Sequence, residues 1–447
     1  MIRFILADLR RFSGGALAVI LLIGLSVGLS VAVTLQERAV RLGSARAAEK
    51  FDLLVGAAGS ETQLALSAIF LQPAPLPLMP GKVLARLAED PRVAMAAPVG
   101  FGDSSFGLPV VGTTTALIAQ LSPRLAEGVA FASLGQAVVG SEAPLPLGAE
   151  VKPMHGPPGS VGETHTSLVY SVVGRMSPTG TAWDRAILVP IRAVWALHGM
   201  RASDEPAAED HEHADHEHAD HEREDEHATD AAAQPAVPLA AMVAKDRGHG
   251  HAHGRVDANA PIDERFDSLT PSIPAVLVKP RTIADAYRLR QEYRTEGTVA
   301  VFPAEVLTRL YATLGDARGL LLAIAFATQG IVLAAILLVA VMHVGARRRQ
   351  IGALRALGAP IRSIIAIVWG ELFLLSLAGV ALGGVLGVGI ATLASARLTA
   401  ATAIGMPVEW AGEDARLALG FLIVAALLSL VPALLALRSS PAASLRS

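Results

Sequence analysis

RRRQIGALRALGAPIRSIIAIVWGE, from Arg347 to Glu371, governs how the whole chain is read. It joins two apolar runs, each long enough to cross a bilayer, and it opens with three consecutive arginines. A short, strongly basic loop between membrane spans belongs on the cytoplasmic side, because arginine and lysine resist translocation. The same stretch reads as a short amphipathic helix, a Gly-Ala-Pro break and a re-entry into the membrane. That is the form of a surface on which a cytoplasmic partner can press.

The composition agrees with a membrane protein. The chain has 447 residues, 52% of them hydrophobic, and a mean hydropathy of +0.47. Charged residues make up 17%, below the roughly 25% of soluble domains. With no cysteine, neither a disulfide framework nor a thiolate metal site exists. The net charge of −3 hides a segregation: acid and histidine concentrate between Asp204 and Asp230, arginine at the chain ends and near position 350. Nothing in this pattern suggests nucleic-acid binding.

Four runs reach the length of about 20 apolar residues that a spanning helix needs. They are Gly14–Leu35, Gly319–His343, about Ile364–Ile390 and about Leu417–Leu437. Basic residues Arg3, Arg10 and Arg11 precede the first, and Arg438 and Arg446 follow the fourth. With the 347–362 arginines, all fall on one side if both termini are cytoplasmic. The first run could be a cleaved signal peptide, but its apolar core exceeds the roughly 7–15 residues of such peptides. The expected fold is therefore an α-helical integral membrane protein with four transmembrane helices and a large α+β extracytoplasmic domain. Its parts run 1–13 (cytoplasmic), 14–35 (helix), 36–316 (external), 319–343 (helix), 344–363 (cytoplasmic loop), 364–390 (helix), 391–416 (outer loop), 417–437 (helix) and 438–447 (cytoplasmic tail).

Within the external part, Gln36–Lys50 reads as a helix continuing out of the membrane, and Phe51–Val55 as a strand. Val93–Val111, Ser167–Val173, Ala186–Val189 and Ala275–Val278 are β-rich, whereas Thr282–Tyr293 and Ala304–Leu314 read as helices. Pro73, Pro75, Pro77 and Pro80 impose an extended stretch. Residues 203–265 differ. HEHADHEHADHE, an acidic run, an Ala/Pro stretch and then HGHAH offer nothing that buries a core, so a disordered insert is expected.

His211, His213, His216, His218, His221 and His227 alternate with carboxylates, and His249, His251 and His253 follow. Imidazole suits Zn²⁺, Cu²⁺ and Ni²⁺. A flexible tract fixes no geometry, so a site there is weak, multiple and unselective; a solvated linker is the plain alternative. No stably bound cofactor is expected beyond weak zinc at this loop. His155, His165 and His198, in the folded part, read as ordinary surface or packed residues.

Gly24 and Gly28 form one GxxxG, and Gly379, Gly383 and Gly387 form two overlapping ones, a spacing that lets helix backbones approach. Which helix is the partner stays open. Glu371, a turn or two inside the third span, needs protein or water around it; an interfacial structural pair is favoured over a proton or substrate site. No GxxxxGK[ST] phosphate loop, GxSxG or HExxH occurs, so the chain is not expected to be an enzyme. Energy must come from a partner.

These residues resemble the FtsX-like permease subunits of ABC transporters, in the MacB/LolE group of mechanotransmission complexes. The basic loop Arg347–Ile364 is similar to the family's cytoplasmic loop, and one span, a large external domain and three spans is the family's order. SVVGRMSPTGTAWDRAILVP, Ser171–Pro190, resembles the close of a MacB-like periplasmic core, with Gly174, Thr179, Gly180 and Asp184 in place. The tail Pro441–Arg446 and the segment Phe51–Phe70 add to the likeness. The His/Asp-rich insert departs from it.

The resemblance implies a bacterial inner-membrane subunit with its large domain in the periplasm. It would pair with a second permease chain and with cytoplasmic ABC ATPases, and with a periplasmic or outer-membrane partner. Arg347, Arg348, Ile351, Leu354, Arg355 and Gly358 would take the ATPase contact, and the cargo would be lipid, lipoprotein, peptide or another hydrophobic molecule. A non-transporting signalling subunit and a zinc-responsive complex using the His-rich loop are the alternatives.

Overall fold

The structure, a computed structural model, describes residues 13–158, 164–200, 256–295, 297–312 and 360–435, with scattered helical positions between 319 and 337. It comprises a membrane block and a sheet domain outside it.

Among the described residues, three helices are long and apolar enough to cross a membrane. The first, α1 (Ser13–Ala48), is one unbroken helix of 36 residues. At 1.5 Å per residue it is about 54 Å long, against about 30 Å of hydrocarbon, so its outer third stands clear of the bilayer. Leu17, Leu21, Leu22, Leu25 and Leu29 are exposed and form an apolar stripe, while Ile23, Val27, Leu35 and Ala39 are buried.

The long helix α8 (Ile361–Thr402) packs along α1. It runs further than the expected span 364–390. TLASARLTAAT, rich in good helix formers, carries it past the bilayer, so the outer loop is 403–411 and not 391–416. The last span begins at Gly412, earlier than expected, as α9 (Gly412–Leu428) followed by α10 (Leu430–Leu435). The break between them falls where Pro432 meets the carbonyl one turn back. The expected span 319–343 lies mostly outside the described residues.

The external domain is built on an 11-stranded mixed sheet, counted over the described residues. Its order is β11-β1-β10-β2-β3-β9-β5-β8-β4, with β6 on β8 and β7 on β2. The long strand β2 (Val93–Ser105) links two halves: its first part pairs with β10 (Ala275–Pro280), its second with β3 (Leu108–Thr113). β1 (Leu53–Ala57) shows why both sheet faces are covered. Leu53 and Val55 join one core with Leu84, Leu87 and Leu289, and Leu54 joins the opposite core with Leu64, Ala65 and Ile69. A period of two sends successive side chains to opposite faces, and a strand apolar at every position must be covered twice. The helices doing so are α2 (Glu61–Phe70) on one side and α3 (Lys82–Glu89) and α6 (Ile283–Glu292) on the other. Fully burying Leu84 and Leu87 stabilises the fold by about 1.5–3 kcal/mol each.

The remaining strands are β4 (Leu125–Gly128), β5 (Gln136–Val139), β6 (Glu150–Val151), β7 (Met154–His155), β8 (Tyr170–Met176), β9 (Ile187–Pro190) and β11 (Thr298–Val301). The remaining helices are α4 (Thr115–Leu121), α5 (Ile191–Leu197) and α7, residues 303–312.

Residues 256–265, expected within the disordered insert, are packed. Leu134 and Gly135 donate to the carbonyls of Ala260 and Ala258 (3.0 and 2.7 Å), and Ile262 donates to Ala132 (3.1 Å). Glu264 accepts from the backbone and hydroxyl of Thr115, both at 2.6 Å. This order comes from backbone pairing with a distant segment, which local composition does not register.

Candidate functional site

Two constellations stand out: a joint where the membrane block meets the sheet domain, and a histidine cluster within that domain. The proposed ATPase-contact residues Arg347, Arg348, Ile351, Leu354, Arg355 and Gly358 lie outside the described residues. So do His211, His213, His216, His218, His221, His249, His251 and His253.

The joint rests on a glycine seam. A methyl group on Gly379, Gly383 or Gly387 would sit 2.6, 2.7 and 2.6 Å from the Cβ atoms of Ile23, Val27 and Val31. On Gly28 it would lie 3.2 Å from the Gly383 carbonyl oxygen, and on Gly24 3.0 Å from Leu382. The two glycine series therefore face each other across α1 and α8, within one chain. Glu371 is buried in α8.

Above the seam the outer loop grips α1. Arg38 makes a two-pronged ion pair with Asp414 (2.6 and 3.0 Å) and donates to the Glu409 carbonyl (3.0 Å). Its side chain is 10% exposed and that of Asp414 4%. Asp414 Oδ2, the oxygen of the shorter contact, also accepts from the Ala411 amide at 2.8 Å, where α9 starts. Arg46 pairs with Glu409 at 3.1 Å. A Cβ on Gly43 would sit 2.6 Å from the Gly405 oxygen, so α1 and the loop touch backbone to backbone.

The sheet domain reaches this joint through the 177–185 turn. Asp184 accepts from the amide and hydroxyl of Thr179 (2.9 Å each) and from the Gly180 amide (2.7 Å). Gly180 takes φ +71°, a conformation L side chains rarely adopt. The turn so fixed aims Arg185 at the carbonyl of Ala400 near the end of α8, 2.7 Å away. On the other side, Tyr311 of α7 donates to Ser44 of α1 at 2.7 Å.

The histidine cluster corrects the sequence reading. His155, His165 and His198, expected to be ordinary, converge on the buried carboxylate of Asp103. From Asp103 Oδ1 the distances are 3.4 Å to His155 Nδ1, 3.5 Å to His165 Nε2 and 3.3 Å to His198 Nε2. The four ligand atoms lie within 4.8 Å of one another. Asp103 sits at the bulge of β2 and is paired in register with His155 of β7. The His165 amide is held by the Pro153 carbonyl at 2.9 Å. His198 closes α5, its Nδ1 2.9 Å from the Val194 carbonyl.

Burial pushes the Asp103 carboxyl up, but the His155 and His198 imidazoles beside it prevail and hold it well below the usual carboxylate range. Contact with Asp103 draws His198 up, whereas burial pushes His165 down. The Tyr170 hydroxyl, raised first by burial and then by the charge of Asp103, has no hydrogen-bond partner among the described residues. The signal available beforehand was arithmetic. Of thirteen histidines, nine lie at 211–253 and one is His343, leaving three for the folded external domain.

Comparison with known proteins bears on the membrane block. Residues 322–442 match the family model described as FtsX-like permease C-terminal. No curated protein matches the chain. Among solved structures, the periplasmic region of MacB from Actinobacillus actinomycetemcomitans is similar at 8% identity and a TM-score of 0.29, covering 59% of this chain and 95% of that one. Through residues 322–442, the C-terminal membrane block of the chain is similar to the FtsX-like permeases.

Proposed function

We propose that this chain transmits ATP-driven motion from a separate cytoplasmic ATPase to its external domain, as the permease subunit of an ABC complex. The observation carrying this reading is the unbroken helix α1, about 54 Å of rod running from the bilayer into the outer loop and sheet domain. A rigid helix transmits displacement along its axis. The glycine seam makes α1 and α8 move as a pair, and Arg38–Asp414 and Arg185–Ala400 connect that pair to the loop and the sheet. The basic loop around Arg347, Arg348 and Arg355 is the part of the sequence suited to receive the push. In this reading the chain is not itself an enzyme, sits in the inner membrane with the sheet domain in the periplasm, and pairs with a second permease chain. Its cargo is a lipid, lipoprotein, peptide or other hydrophobic molecule.

The test is capture of the ATPase encoded beside this chain, after co-expression and mild solubilisation. Wild type should retain an active ATPase, and Arg347→Glu/Arg348→Glu/Arg355→Glu should lose it while staying folded. Arg38→Ala should keep the ATPase bound while loosening the joint. Failure of the wild type to retain any ATPase overturns the reading.

A further inference from the structure

We propose that Asp103, His155, His165 and His198 form a four-ligand site for a single borderline divalent transition-metal ion, Zn²⁺ foremost. Bound there, the ion ties the β2–β7 strand pair to the end of α5. The inference is independent of the permease reading and goes beyond it.

Distances carry the argument first. Zn²⁺ with ligands about 2.0–2.1 Å away in a tetrahedron places neighbouring ligand atoms about 3.3–3.4 Å apart. The three nitrogens lie 3.3, 3.4 and 3.5 Å from Asp103 Oδ1. Those separations match the three edges that meet at Asp103 Oδ1 in such a tetrahedron and exceed the 2.7–3.2 Å span typical of hydrogen bonds to oxygen. Accordingly, Asp103 Oδ1 and His165 Nε2 are buried without a hydrogen-bond partner among the described residues. A buried carboxylate oxygen held only by long, poorly aligned contacts to three rings is a costly metal-free arrangement. A dication at the centre of the four atoms satisfies all of them. With the ligand atoms already within 4.8 Å of one another, closing onto an ion takes side-chain shifts of about 1 Å.

The surroundings fit a ligand role. The Val194 carbonyl is placed to accept the Nδ1 proton of His198, which leaves the Nε2 lone pair facing the site, the support that metal-binding imidazoles commonly have. The exposure is graded: Asp103 4%, His165 19%, His198 23% and His155 59%. The carboxylate thus forms the floor and His155 the mouth through which an ion enters.

Ligand chemistry selects the ion. Three imidazoles and one carboxylate oxygen suit Zn²⁺ and its neighbours, whereas Ca²⁺ and Mg²⁺ require oxygen shells. Four protein ligands complete a tetrahedron and leave no open position, the arrangement of a structural or regulatory ion and not of a catalytic one. His198 stands shortly before the histidine-rich stretch that begins at His211. Those histidines would raise the ion concentration near the folded cluster.

The experiment uses the full-length chain in detergent, with the nine histidines at 211–253 replaced by asparagine to remove background binding. After chelator treatment the protein is titrated with Zn²⁺ by competition and with Co²⁺ by visible absorption. One ion per chain is expected, with the intense visible bands of tetrahedral Co²⁺ and a rise in Tm on Zn²⁺ addition. His165→Ala and Asp103→Asn should weaken binding by more than the 10–100-fold typical of losing a mere supporting contact. His155→Asn, at the exposed mouth, keeps the test valid should the buried variants fail to fold; it should also remove the Tm rise. No stoichiometric ion, a weak octahedral Co²⁺ spectrum, or binding indifferent to all three substitutions would each overturn the site. None of those outcomes bears on ATPase capture.

Discussion

Gly383→Ala isolates the energetics of the α1–α8 seam, because the chain carries its own control one residue away. A methyl on Gly383 would sit 2.7 Å from Val27 Cβ and 2.8 Å from the Gly24 carbonyl oxygen. Carbon atoms rest about 3.5–4.0 Å apart, so the helices must separate by about 1 Å or α8 must bend. Neither partner is the free end of a flexible side chain: one atom is a β-branched Cβ, the other backbone. Overpacking of this kind costs about 1–3 kcal/mol. On Gly384 the same methyl meets nothing within 4 Å. Both substitutions gain the same helix propensity, up to about 1 kcal/mol, which cancels in the comparison. The expected result is that Gly383→Ala is less stable than Gly384→Ala by about 1–3 kcal/mol, read as a difference in detergent unfolding midpoint. ATPase stimulation should fall only in the Gly383 variant. Equal stability of the two would refute the seam as drawn.

Arg38→Ala should destabilise by about 3–5 kcal/mol, since it strands the buried Asp414 carboxylate; Arg38→Met/Asp414→Leu should recover most of the loss, as thermal unfolding would show. Asp184→Ala leaves the Thr179 and Gly180 amides without their acceptor, for about 1–3 kcal/mol each, whereas Arg185→Ala should change Tm little and weaken coupling of ATPase activity to the external domain. Arg92, hydrogen-bonded to Asp90, holds that carboxyl below its ordinary range. A depressed folded-state value contributes stability above the unfolded value of about 3.9 and loses it as pH falls through the folded value. Asp90→Asn should therefore flatten the acid limb of the Tm–pH curve below about pH 4 and leave the neutral region parallel to wild type.

The strand around Leu53–Val55, the β-rich runs 93–111 and 186–189 and the helix near 283–292 follow from local apolar pattern and β-branched content, which act over a few residues. Residues 256–265 look like low-complexity linker by composition, yet they pair with 132–135 through backbone groups that every residue carries. The end of α8 also escaped a hydropathy reading. Hydropathy marks where lipid stops; helix propensity and packing against α1 mark where the helix stops.

The presence of long apolar runs, the basic loop, the absence of a phosphate loop and the glycine spacing could be read from sequence alone, because hydrophobicity, charge and helical period are local properties. The facing of Gly379, Gly383 and Gly387 by Ile23, Val27 and Val31 was decided by tertiary structure, since spacing defines a groove without naming what fills it. The same holds for Arg38 and Asp414, 376 residues apart. It holds most of all for the cluster at Asp103. Its four side chains come from a strand bulge, a two-residue strand, a loop and a helix end, so their meeting depends on sheet register, and a one-residue slip would turn Asp103 or His155 to the opposite face.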